Sequence, residues 1–462
     1  MANVSTFFGL QTSLRGLLAH QRSLDVTGHN VANASTVGYS RQEATLATTD
    51  ALHLAAGAKI DGSGAQLGSG VMVEDYRRIR DGFLDVQFRA QNTVLGDADA
   101  RARAMEGVEL SIAEPGTNGV SAALTKMWSA WTTVSNNAPD NPARQVLVDS
   151  AKGVALAFKE VDTQLKSLQS QAQQEFAGLT KFDPATGQYG EVGQIANQLA
   201  AVGEAIRHSS MMGETPNDLL DQRDLLLDKL SNLGTVQTVD LGDGGLRVMF
   251  GGAGTPLVDD SKLDDKSTPG DDRVSFDPTA LLSPGGKLGA LKSMGEAGGA
   301  IESYRTELAA AVKTLADQVN AIHSQGPSGE DFFAFDATQG ASGLTVIQTA
   351  ATVQVNRDGT ASGADIAREI AALRGGAADQ AYQVFVARVG SESKQVQRTQ
   401  ANAETLLTAV DDRRLSVSGV SLDEEMTNLI RFQRGYQASA RTMSTLDEML
   451  ETLINRTGRV GL

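Results

Sequence analysis

Cysteine is missing from all 462 residues, which excludes disulfides, thiol nucleophiles and Cys-ligated metal. Aromatic residues make up only 5% while glycine reaches 48, a composition for thin, close-packed helices more than for one bulky core. Basic charge is in the minority: 40 Lys and Arg stand against 56 Asp and Glu, a net of −16, so no broad positive field draws in phosphate backbones or anionic lipid. No run approaches the roughly 20 apolar residues that span a bilayer. The opening Met1-Ala-Asn-Val-Ser-Thr-Phe-Phe also lacks the basic and continuous apolar regions of a secretory signal. Neither nucleic acid nor membrane insertion is expected, and the chain is long enough for two or three domains.

Catalytic patterns are equally scarce. His20, His29, His53, His208 and His323 are dispersed, with no H-E-x-x-H pair, and no G-x-S-x-G elbow occurs. Gly286-Lys287 lacks the earlier glycine and the following Ser or Thr of a phosphate loop. The glycine-rich runs at 61–70 and 242–254 read as turns, because neither leads from a strand into a convincing helix start. No catalytic group, cofactor or metal is assigned.

What is present is periodicity, strongest at the two ends. Leu10, Leu14, Leu17, Gln21, Leu24, Gly28 and Val31 alternate steps of four and three, the spacing of a heptad seam. Leu422, Met426, Leu429, Gln433, Tyr436, Ala440 and Met443 repeat it, and the seam resumes at Leu446, Leu450 and Leu453. Ser421 and Glu424 form a capping-box pattern before this run. A third seam runs from Phe385 through Val389, Glu392 and Val396 to Ala403, Leu406 and Val410. Interior Gly16 and Gly28 each cost about 1 kcal/mol relative to Ala, so the first helix needs a partner, and the last helix is the obvious one. For inter-subunit packing the spacing singles out Leu10, Leu14, Leu17, Leu24, Leu429, Tyr436, Met443 and Leu450; packing between the two ends of one chain is the competing reading.

Further helices are predicted at about 77–112, 120–135, 142–180, 191–210, 216–233 and 295–323, with Asn141-Pro142 and Thr215-Pro216 as start signals. Val236 to Leu241, Gly242-Asp-Gly-Gly245 and Leu246 to Phe250 predict a hairpin, followed by strand-like pieces near 255–258 and 273–276. A further strand is expected at 68–73. The fold class is mainly α with a β-rich insert, elongated and multi-domain. A terminal coiled coil takes 1–45 and 415–462, a long-helix body 46–234 and 291–414, and the small β element 235–290.

Asp218, Asp221, Asp224 and Asp228 step by three, three and four along one helix face. Four carboxylates so placed could hold a divalent cation. The plainer reading gives Asp218 to the helix dipole and the rest to solvent or to cationic side chains elsewhere in the body.

Gly28-His-Asn-Val-Ala-Asn-Ala-Ser-Thr-Val-Gly-Tyr-Ser-Arg41 resembles the N-terminal signature of the axial proteins of the bacterial flagellum through Asn30, Ala32, Asn33, Thr36, Gly38 and Tyr39. Val31 and Val37 stand where that family usually has isoleucine and proline. Residues 418–441 and 445–454 look like its C-terminal signature, with Glu424, Gln437 and Ala438 among the matches. The stretch 216–230, carrying Asn217, Asp218, Asp221, Arg223 and Asp224, resembles the hook–filament junction branch of the family and is unfamiliar in hook or rod proteins. The resemblance implies self-assembly into a ring or helical array, with the hook protein below and a second hook-associated protein above. It also implies a cytoplasmic export chaperone at the C-terminal region, type III export without a cleaved signal peptide, and an extracellular place in the flagellum. A hook or distal-rod subunit would share the terminal signatures; a cytosolic coiled-coil scaffold or an enzyme would leave them unexplained.

Overall fold

The computed structural model describes residues 7–54, 65–114, 116, 119–183, 185–262, 271–281, 283–360 and 363–456. Part of the 61–70 run, residues 1–6 and 457–462 of the terminal segments, and the side chain of Leu453 lie outside what is described.

The first helix, α1 (Phe8–Ala32), leads into a ribbon of β1 (Gln42–Thr48), β2 (Leu52–Leu54), β3 (Ala65–Leu67) and β4 (Val71–Arg78). β1 pairs antiparallel with β4 from Gln42↔Arg78 to Thr48↔Val71, with a register shift at Thr45/Leu46; β2 pairs with β3 beyond it. The strand expected at 68–73 begins only at Val71 and runs on to Arg78. The helix predicted from 77 begins only at Gly82, because Arg77 and Arg78 still belong to β4 and Asp81 caps the helix by accepting a bond from the Phe83 amide at 2.9 Å.

The body is built on α2 (Gly82–Ile112), α3 (Val120–Asn136) and α4 (Asn141–Thr180). After the short β5 (Phe182–Asp183) and β6 (Gln188–Tyr189) come α5 (Glu191–Met211) and α6 (Asn217–Leu233). The two proline-flagged starts use no side-chain cap: α4 begins at Asn141 and α6 at Asn217, and the Thr215 hydroxyl bonds Asp75 at 2.9 Å instead. β7 (Val236–Asp240), β8 (Leu246–Phe250) and β9 (Val258–Asp259) form an antiparallel sheet in that order, with an isolated bridge from Val258 to Val274. The helix predicted at 295–323 appears as α8 (Ala300–His323), delayed by a turn at Gly298 where φ is +77°; the helix before it, α7 (Gly286–Gly295), takes up the end of the stretch expected to be β-rich. β10 (Phe333–Phe335), β11 (Leu344–Val346) and α9 (Asp365–Ala371) precede the long α10 (Ala377–Ser418) and α11 (Leu422–Arg456).

Two apolar cores result. The larger joins α2, α3, α4, α8, α9 and the start of α10 around Trp128, Trp131, Phe158, Phe332 and Tyr382. The Trp128 indole N–H finds Asp379 at 3.0 Å, so the buried ring keeps a hydrogen-bond partner. The second packs α5 and α6 on β7–β9 around Leu199, Leu230, Val248 and Phe250. Among the described residues, nothing before Ala100 or after Val389 belongs to the buried set of either core.

Candidate functional site

α1 and α11 pair antiparallel through small and polar side chains. A Cβ built on Gly9 would meet Leu446, one on Gly16 would meet Ser439, and one on Gly435 would lie 2.6 Å from the His20 ring. Ala19, Ser23, Thr27 and Asn30 are the fully buried positions of α1, the serine and threonine hydroxyls turning back to carbonyls four residues earlier. Gly16 therefore permits a close backbone approach, whereas Gly28 faces open space.

Apart from Leu446 against Gly9, the heptad leucines lie beside this seam. Leu10, Leu17 and Leu24 are half-buried and Leu14 is 42% exposed; on α11, Leu429, Tyr436, Met443 and Leu450 are half-buried while Leu422 and Met426 are exposed. At 3.6 residues per turn, the leucine stripe lies about 100° round α1 from the line through Gly9, Gly16 and His20. The stripe through Met426, Leu429 and Tyr436 is offset from its contact line by a similar angle in the same rotational sense. In an antiparallel pair, equal offsets of one sense fall on the same side, so the two stripes border one shallow apolar groove. The opposite flank of α1 carries the β1–β4 ribbon, tied by Arg15 to the Ser69 carbonyl at 2.9 Å.

The N-terminal signature residues build the turn out of α1. The Asn30 amide donates to the Gln42 carbonyl at 2.9 Å and to Glu425 at 3.2 Å, and its carbonyl oxygen accepts from the Gln42 amide and the Tyr39 hydroxyl. The Asn33 amide reaches back to His29, and Asn33 accepts from Thr36 at 3.1 Å. Gly38 sits at φ +84° against Leu225, a left-handed conformation that favours glycine. Burial, reinforced by Asp218 and Asp221, pushes the Tyr39 phenol upward and keeps it a donor. Ala32 is exposed at the end of α1, and Gln437 and Ala438 are exposed on α11.

From that turn the chain runs into the α6 carboxylates. Asp221 accepts from the Ser40 amide at 2.9 Å and hydroxyl at 2.8 Å, and pairs with Arg78 at 2.8 Å. Asp224 meets Arg78 at 2.9 Å, Arg89 at 3.0 Å and Arg80 at 3.3 Å; Asp228 meets Arg414 at 2.6 Å and Arg89 at 2.9 Å. Arg80 also makes a forked pair with Asp85. Burial alone would raise the Asp224 carboxyl, but Arg80, Arg78 and Arg89 outweigh it and hold it below the usual range. Asp218 binds the Gln42 amide at 2.9 Å, and Asn217 reaches the Tyr76 carbonyl at 2.7 Å. The comb of carboxylates is thus engaged by guanidiniums, in line with the plainer reading of its spacing, and among the described residues no cluster of three metal-ligating side chains stands free for a cation.

Arg223, inside the same stretch, points the other way and donates to the Gly244 carbonyl at 3.3 Å, where burial pulls its guanidinium downward. The capping box is half formed: the Glu424 amide lies 3.5 Å from the Ser421 hydroxyl, but the Glu424 carboxylate turns to Arg41 at 2.7 Å, which also holds the buried Glu425. Arg41, Arg78, Arg80, Arg89 and Arg414 escaped the sequence reading. The run Arg77-Arg78-Ile79-Arg80 was their visible signal, since buried carboxylates in a row demand countercharge.

The turn out of α1 is the segment that resembles the axial proteins of the bacterial flagellum, and comparison with known proteins bears on that class and on which kind. The profile of flagella basal body rod proteins matches residues 10–39, and the C-terminal profile of the flagellar basal body rod FlgEFG proteins matches 412–456. The flagellar hook-associated protein FlgK helical domain matches 105–333. Flagellar hook-associated protein 1 of Bacillus subtilis is 30% identical over 511 aligned positions, covering 98% of this chain and 99% of its own. Its counterpart in Escherichia coli is 23% identical, covering 96% and 99%. The solved flagellar hook junction protein FlgK of Burkholderia pseudomallei superposes with a TM-score of 0.43 and 26% identity over 54% of this chain and 47% of that one. The chain belongs to the flagellar hook-associated protein 1 family.

Proposed function

We propose that this protein is a structural building block of the junction between flagellar hook and filament, and not an enzyme. The observation that carries the reading is the uncovered apolar groove on the α1–α11 pair. Its stripes keep heptad spacing, suited to another helix, while small residues already close the pair itself. Leu10, Leu14, Leu17, Leu24, Leu429, Tyr436, Met443 and Leu450 are the side chains assigned to contacts between copies. Unlike surfaces meeting head to tail build rings or open helical arrays.

In this reading segments 1–45 and 415–462 form the inner domain, on which the β1–β4 ribbon at the start of 46–234 packs, the rest of 46–234 with 291–414 forms the body, and 235–290 an outer β element. The hook protein lies on one side and a second hook-associated protein on the other. The chain reaches its extracellular place through type III export without a cleaved signal peptide, escorted by a cytoplasmic chaperone on its C-terminal region. Deleting the gene tests the assignment: filaments disappear, hooks remain and flagellin is shed into the medium, and a copy lacking residues 420–462 fails to complement. Missing hooks would instead indicate a hook or rod subunit, and normal filaments would refute the flagellar role.

A further inference from the structure

The two apolar cores stop short of the terminal helices. What joins α1, the β1–β4 ribbon and α11 to the body is almost wholly polar. Three α6 carboxylates, Asp221, Asp224 and Asp228, together with Asp85 of α2, are met by Arg78 and Arg80 from the ribbon side, Arg89 of α2 and Arg414 of α10. Among the described residues, Gly38 touches Leu225, and further ties are hydrogen bonds. They include Gln42 to Asp218 and the Arg41 amide to the Ser418 carbonyl.

We propose that this joint is an electrostatic clamp: the α6 carboxylates position the terminal helix pair on the body, and protonating them releases the pair while both body cores stay closed. The charge count explains why. Four guanidiniums face four carboxylates. Arginine keeps its proton at any accessible pH, so neutralising the carboxylates leaves several like charges within a few ångströms in a poorly solvated site.

The other ionisable groups facing the joint do not oppose this. His29 of α1 lies 3.8 Å from Asp218. Arg41 of the turn pairs with Glu424 and Glu425 of α11, Asp411 of α10 pairs with Arg414, and Tyr39 stays neutral; Arg223 points to Gly244. The direction at Asp224 agrees: a carboxyl held below its ordinary value stabilises the fold fully above about pH 3.9 and loses that contribution as pH falls through its folded value.

The absence of native cysteine allows a clean test on the full chain, with spin labels at Ser129→Cys on α3 and Ser444→Cys on α11, both at exposed sites. The expected result at pH 7 is one narrow distance. It broadens below about pH 3.9, and already at pH 7 in the double variant Asp221→Asn, Asp224→Asn, while the near-ultraviolet circular dichroism of the body tryptophans is unchanged. Asp224→Glu restores the narrow distance, and the exposed Asp149→Asn leaves it intact. The proposal is overturned by a narrow distance that survives both acid and the double variant, by a broad one at pH 7 in the unmodified chain, or by simultaneous loss of distance and tryptophan signal. If the double variant does not fold, the acid titration of the unmodified protein decides alone. None of these readouts depends on the protein's role in the flagellum.

Discussion

The body and the terminal pair solve the same problem, holding long helices together, with opposite chemistry. In the body, Trp128, Trp131, Phe158 and Tyr382 fill the space between helices and lose essentially all their exposure. Along α1 and α11, glycine, alanine and serine let the backbones approach, and most large apolar side chains stay at the margin, with Leu446 against Gly9 as an exception. Burying a large side chain contributes about 1.5–3 kcal/mol, so the body holds by itself, whereas a seam of small residues yields little per turn and leaves the leucines available to a neighbour. Between the two lies a joint of ion pairs, specific in geometry and responsive to pH.

Trp131→Ala should give the largest break in this contrast. The ring is fully buried against Phe332, and its loss is expected to cost about 3–5 kcal/mol in urea unfolding followed by circular dichroism. A change confined to the terminal helices would contradict the placement of the main core. Next comes Gly435→Leu, which drives a side chain into His20 and should cost about 1–3 kcal/mol, seen as faster amide exchange in α1 and α11 with the body unaffected. Equal exchange in both helices before and after the change would mean that the close approach contributes nothing.

Acid sharpens the comparison further. Because Asp224 is depressed, the joint should keep its full strength above about pH 3.9 and weaken as the solution is acidified past that point, measured by protection of the Ser40–Gln42 amides. Protection that instead fell between pH 5 and 7 would contradict the assignment to the α6 carboxylates. Leu14→Ser should have the smallest effect on the isolated chain, within about 0.5 kcal/mol, because Leu14 is 42% exposed. The same change is expected to impair filament attachment in cells, and full motility would argue that the groove is not an assembly surface.

Much of the architecture was legible beforehand. The hairpin predicted at 236–250 appears as β7 and β8, and the helices predicted at 120–135, 142–180 and 191–210 match α3, α4 and α5 to within a residue. Such segments are local, set by turn chemistry and hydrophobic spacing over a few residues. The misses were local competitions decided elsewhere in the chain. Arg77 and Arg78 pair with the β1 strand and so delay α2, and Thr215 bonds Asp75 rather than capping α6. The Glu424 side chain serves Arg41 rather than its own helix end.

By itself the sequence determined the long helices, the β insert, the acidic comb on α6 and the terminal signatures that mark the family, because each is written within a few turns of chain. Only the tertiary structure decided which face of α1 meets α11. Apolar periodicity marks where large side chains lie, but the distance between two backbones is set by where they are absent, at Gly16 and Gly435. Only the tertiary structure, too, chose the comb's partners. Arg78 reaches Asp221 across 143 residues and Arg414 reaches Asp228 across 186. No spacing rule carries over such separations, since a buried carboxylate requires countercharge but does not specify which arginine will supply it.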